Sequence, residues 1–204
     1  MQTVFDPNLI VSGDTFMRRS RTSPIATGWD TLDRATGGGL RPGELSEWGL
    51  PAGRGGRELI LRLLAHAQHR SELGLLLWVL PDNELTVYPP AWEARGLDLA
   101  RIFFATTSHV MHDLKPAFTE PVFDAIVLDT PKITQDDLAY MAGRARDNHN
   151  LTLVLRPYLL RSEKGNVWAK LRLNCWYDET RQEHQVHLLR GAPPCRVRIR
   201  THDH

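Results

Sequence analysis

The feature that most constrains this chain is one glycine-rich turn set between a strand-like piece and a strongly helical run. Residues 45–59 read LSEWGLPAGRGGREL. The apolar piece at 43–48 runs into a loop holding Gly49, Gly53, Gly55 and Gly56, and the helical run ELILRLLAHAQ follows at 58–68. Strand, glycine loop and helix together aim backbone N–H groups and a positive helix end at an anion. Continuous apolar runs then recur at 73–81, 102–105, 123–129 and 151–155, each the length of a strand buried on both faces. Helical segments fall between them. Pro89 and Pro90 open a short helix that Gly96 stops, residues 112–118 suit another, and Thr134 caps a helix over Gln135–Asn148. The alternation implies a parallel, twisted sheet with helices on both faces.

After residue 155 the pattern changes. KLRLNCW at 170–176 and HQVHLLR at 184–190 alternate apolar with polar, as half-exposed strands do, and polar 178–183 suits a hairpin turn. RVRIR at 196–200 is either a final short strand or part of a basic tail. The expected fold class is therefore α/β: a three-layer core with a mainly parallel twisted sheet and an antiparallel C-terminal hairpin. Its expected parts are an N-terminal arm at 1–24, a core at 25–192 and a basic tail at 193–204.

Composition narrows the function classes. With 204 residues and 42% hydrophobic content, the chain can bury a full core. A formal net charge of +1 gives no global field toward nucleic acid or membrane. No apolar run reaches the roughly 18 residues of a membrane span, and no signal-peptide pattern opens the chain, so a cytoplasmic protein is expected. Cys175 and Cys195 read as two free thiols, and the nine histidines show no metal spacing.

Three polar features fall at strand ends, where open α/β sheets hold ligands: the glycine loop, the pair Asp82 and Glu84, and Asp129. A working phosphate loop reads G-x-x-x-x-G-K-[ST], the Lys neutralising β/γ-phosphates and the hydroxyl holding Mg²⁺. Here Gly56 and Arg57 follow Gly55, so both groups are missing. Gly53, Arg54, Gly55, Gly56 and Arg57 form a degenerate cradle, in which Arg54 or Arg57 could replace the Lys as a phosphate-binding cation. Asp129 reads as a structural remnant rather than a metal ligand. Glu84 has nothing to act on as a base unless a nucleotide is anchored. No cofactor and no metal is expected. The row Arg196, Arg198 and Arg200 either touches DNA phosphate or is a solvated edge that discourages aggregation.

The order of these pieces resembles the RecA ATPase core over residues 25–190. IATGWDTLD at 25–33 is similar to the STG…LD opening of RecA-like proteins, and GGGLRPG at 37–43 to their glycine-rich connection. Asp82 to Glu84 falls at their Asp-x-Glu, ARGLD at 94–98 keeps their spacing, and 123–129 matches their Walker B strand. A core of this size with a decayed phosphate loop, and without the long Gly-rich DNA loop after 151–155, resembles the ImuA family.

That resemblance implies a non-catalytic accessory protein of the SOS-induced translesion-synthesis mutasome. It would act through ImuB and/or RecA, and indirectly with an error-prone DnaE-type polymerase, making at most weak contact with DNA and none with membrane. Glu84 and Asp129 would then be vestigial catalytic positions. RecA-like filaments pack an N-terminal segment on a neighbouring core, which makes Val4, Phe5, Leu9 and Ile10 partner-binding candidates. A weak DNA-dependent ATPase and a SulA-like inhibitor of cell division are the alternative readings.

Overall fold

The computed structural model describes residues 23–70, 72–82, 87–129, 132–163 and 165–200. Eight strands form one sheet: β1 (Leu45–Gly49), β2 (Leu76–Leu80), β3 (Ile102–Thr106), β4 (Ala125–Leu128), β5 (Leu151–Arg156), β6 (Leu171–Asp178), β7 (Glu183–Arg190) and β8 (Cys195–Arg200). Their order across the sheet is β3-β2-β4-β5-β1-β6-β7-β8. Pairing is parallel from β3 through β6 and antiparallel from β6 to β8. The protein is thus an α/β, RecA-like three-layer core with an antiparallel C-terminal part.

Alternation along each central strand makes the two cores. In β4, Ala125 and Val127 face one side with Trp48, Trp78, Leu59 and Leu63, while Ile126 and Leu128 face the other with Leu138, Met141 and Val154. The first side is covered by α2 (Gly56–His69), which follows the shorter α1 (Asp30–Thr36). Three short helices come next: α3 (Pro89–Glu93), α4 (Val110–Asp113) and α5 (Lys115–Thr119). The second side is covered by α6 (Gln135–Asn148). A capping box starts α6 where the sequence places it: Asp137 N–H donates to Thr134 Oγ1 at 3.1 Å and Thr134 N–H to the Asp137 carboxylate at 3.1 Å. Both cores are closed by apolar area that each large buried side chain removes from water, at roughly 1.5–3 kcal/mol apiece.

The opening segment is held by Asp33, whose Oδ1 accepts from Thr27 N–H at 2.8 Å and Thr27 Oγ1 at 2.7 Å. Gly39 then lies so near the Ile25 carbonyl (φ +117°) that only glycine fits there.

Three expectations are corrected. β3 is not a buried strand: it is the sheet's margin, with Phe103 and Phe104 exposed on opposite sides. β6 and β7 are not half-exposed along their length, because β6 pairs with both β1 and β7 and its first five residues are buried. Arg172, polar in the alternation, is among the most buried side chains. Finally, residues 195–200 are no tail; they pair with β7 as β8, and Val197 and Ile199 enter the core. Among the described residues, no helix is long and apolar enough to cross a membrane.

Candidate functional site

The glycine loop leaves the end of β1 beside the ends of β5 and β4, and β6–β7 closes over it. Leu50 N–H extends the β1–β5 ladder by donating to Arg156 O at 2.7 Å. Ala52 N–H then donates to Pro157 O, just past β5, at 3.3 Å, and Arg54 N–H to Pro51 O within the loop at 3.1 Å. Gly53 and Gly55 take left-handed backbone, φ +71° and +68°, and Gly55 is the N-cap of α2. From the other side Tyr177 N–H donates to Arg54 O at 2.7 Å, and His184 Nε2 lies 3.4 Å from Gly55 O. The loop is sewn onto the C-terminal hairpin.

Gly56 is packed closely. A Cβ placed on it would sit 2.7 Å from the backbone oxygen of Cys175 and 3.0 Å from a Leu50 methyl. In the resemblance to RecA-like proteins this residue stands where the phosphate-binding Lys belongs. No side chain of any kind fits there while β6 keeps its place.

Arg57 and Asp129 meet. Arg57 Nη2 donates to Asp129 Oδ1 at 2.8 Å, the guanidinium half exposed and the carboxylate buried. The cation opening α2 would work against the helix dipole, and the Asp129 carboxylate offsets that charge locally. Arg54, the other candidate cation, contributes its carbonyl to Tyr177 as described. The space bounded by the loop, Arg57, Asp129 and Arg156 is about 170 Å³. Small-molecule sites begin at roughly 300 Å³.

The remaining candidates are dispersed. Asp82 is engaged in structure: its Oδ2 accepts from Ser108 N–H at 2.9 Å and Ser108 Oγ at 2.7 Å, fixing the turn after β3. Glu84, Val4, Phe5, Leu9 and Ile10 lie outside the described residues. Arg196, Arg198 and Arg200 are exposed on β8, at the margin of the sheet. Cys175 is fully buried, which pushes its thiol well above the usual range and leaves it unreactive, while Cys195 is exposed; both are free. No group of three or more His, Cys, Asp or Glu among the described residues could hold a metal ion.

Sequence reading missed a cluster of buried charges. Glu47, in the middle of β1, takes Arg156 Nε on Oε1 at 3.1 Å and Arg172 Nε on Oε2 at 2.9 Å, all three side chains being almost wholly buried. Arg172 Nη1 also donates to Arg161 O at 3.2 Å. Next to it, Asn174 grips Leu160 at both backbone groups, 2.7 and 3.0 Å, which fixes the connection from β5 to β6. The signal was there: one carboxylate inside an apolar strand, and arginines in two others.

Searches with protein-family models and against curated proteins return no match for this chain.

Proposed function

We propose that this protein is a non-catalytic RecA-like adaptor of the ImuA kind, serving SOS-induced translesion DNA synthesis by contacts with ImuB and/or RecA. Through them it would reach an error-prone DnaE-type polymerase. The observation that carries the non-catalytic part of this reading is the packing of Gly56 against the Cys175 carbonyl. It removes the position from which a Lys would reach a β/γ-phosphate. The Arg57–Asp129 pair supports it too, since the cation that opens α2 and the carboxylate at the Mg²⁺-organising position of RecA-like ATPases neutralise each other. The mutasome assignment rests on the sequence resemblance, namely the order of motifs over residues 25–190 and the missing DNA loop.

The test has two arms. Calorimetry with millimolar ATP and Mg²⁺ should give no saturable heat, and phosphate release should stay at background with and without DNA. Purified ImuB and RecA should each be assayed for capture by the chain; capture of at least one, unchanged in Asp129→Ala, is the expected result. Saturable ATP binding lost in Arg57→Ala would replace the adaptor by an ATPase or nucleotide switch. Failure to capture either protein would remove the mutasome assignment.

A further inference from the structure

The sheet ends at β8, which pairs with β7 on one side and is, among the described residues, the last strand of the order. Its side chains separate by sign and polarity. Val197 and Ile199 are buried in the core, and α1 packs against this strand. Arg196, Arg198 and Arg200 point to the opposite, solvent side, all exposed. Alternate residues of a strand stand about 7 Å apart, so the three guanidiniums make an evenly spaced basic row along the margin. Glu183 on β7 stands opposite Arg200 in register and lies 3.7 Å from Arg198 Nε. Among the described residues no ion partner is found for Arg196 or Arg200.

We infer that β8 is a docking margin for an extended, acidic segment of a protein partner, which adds to the sheet as a ninth strand. A terminal strand offers a row of backbone N–H and C=O groups, and strand addition supplies affinity through them and specificity through alternate side chains. A second copy of this margin would set arginine against arginine and is repelled; a segment carrying Asp or Glu at every second residue places a carboxylate beside each guanidinium. The charge that blocks self-pairing therefore selects the partner. The intervening side chains of the added strand would lie toward the α1 side, continuing the apolar line of Val197 and Ile199.

Single-stranded nucleic acid is the competing occupant, since phosphates also suit an arginine row. The neighbouring strands argue against it. A nucleic acid lying across this face would meet the paired Asp178 and Glu183 on β6 and β7, whereas an added strand meets β8 alone and stays on the far side of the arginines from them. The inference deepens the adaptor reading by giving it a contact surface, but its test uses synthetic ligands and so stands or falls without ImuB or RecA.

The experiment is fluorescence anisotropy on the full chain with a labelled seven-residue peptide alternating Glu with Val. Controls are the same peptide with Lys for Glu, the Glu peptide N-methylated at alternate backbone amides, and an oligo-dT of similar charge. The expected result is saturable binding of the Glu peptide alone. It should weaken at least tenfold in the Arg196→Gln, Arg198→Gln, Arg200→Gln triple variant, and at least tenfold on N-methylation with the protein unchanged. Binding indifferent to N-methylation would mean plain charge attraction and overturn strand addition. Oligo-dT binding as tight as the Glu peptide would assign the row to nucleic acid, and absence of any Glu-peptide binding would remove the site.

Discussion

Arg57 and Asp129 lie 72 residues apart and close an ion pair at 2.8 Å that joins the start of α2 to the end of β4. Half of the guanidinium is in water, so the pair contributes little to stability. A double-mutant cycle of Arg57→Ala and Asp129→Asn in urea should give a coupling energy below about 1 kcal/mol, falling with added salt. A coupling of several kcal/mol would show that the pair is a structural clamp.

Glu47 is the opposite case. Its carboxylate serves two buried guanidiniums, and Glu47→Gln keeps the volume while removing the charge both depend on. Urea denaturation of that variant should show a loss of about 3–5 kcal/mol. Because Arg156 also bounds the loop space, its reorientation should be visible as shifts in the amide resonances of residues 50–57.

Two glycines separate close packing from backbone freedom. Gly143 lies in the middle of α6 with nothing within 4 Å of a built Cβ, so Gly143→Ala should stabilise by about 0.5–1 kcal/mol. Gly56→Ala must push against the Cys175 carbonyl and should destabilise by about 1–3 kcal/mol. Thermal melts of the two variants should move in opposite directions.

Acid should weaken the fold in two stages. His184 is held below the ordinary histidine range, chiefly by burial, with the Gly55 carbonyl and Glu58 pulling the other way; burial and Arg196 lower His187 similarly. Each stays neutral when folded and takes a proton near 6.5 when unfolded. Their contribution is therefore complete above pH 6.5 and is lost as pH falls through the lowered folded values. Burial raises the Glu58 carboxyl, but hydrogen bonds from Arg62 and Arg95 outweigh it and bring it below the ordinary 4.5. Its share is present above pH 4.5 and disappears below. Melting temperature from pH 8 to 3 should fall twice, and His184→Gln should reduce the first fall to the His187 share while leaving the second.

The parallel half of the sheet was legible because its strands are short, continuous apolar runs and its helices carry their own punctuation, as at Thr134. That Gly56 and Arg57 stand where a working phosphate loop has Lys and Ser/Thr was legible too. What the pattern hid were facts of neighbourhood. Phe103 and Phe104 read as buried because a strand's apolar content says nothing of whether it lies at the centre or the margin. Arg172 read as exposed because alternation fixes which face a side chain takes, but not that Glu47 waits there on β1. Arg57 read as a possible stand-in for the missing Lys, and its pairing with Asp129 was hidden because the two are neighbours only after folding.

The two margins of the sheet are chemically unlike, phenylalanines on β3 and arginines on β8. Seven inter-strand steps of about 4.8 Å put them roughly 34 Å apart. The molecule therefore has a direction. A neighbour at one margin would meet aromatic rings and a neighbour at the other guanidiniums, so two bodies bound there would be held at a set distance, as by a spacer.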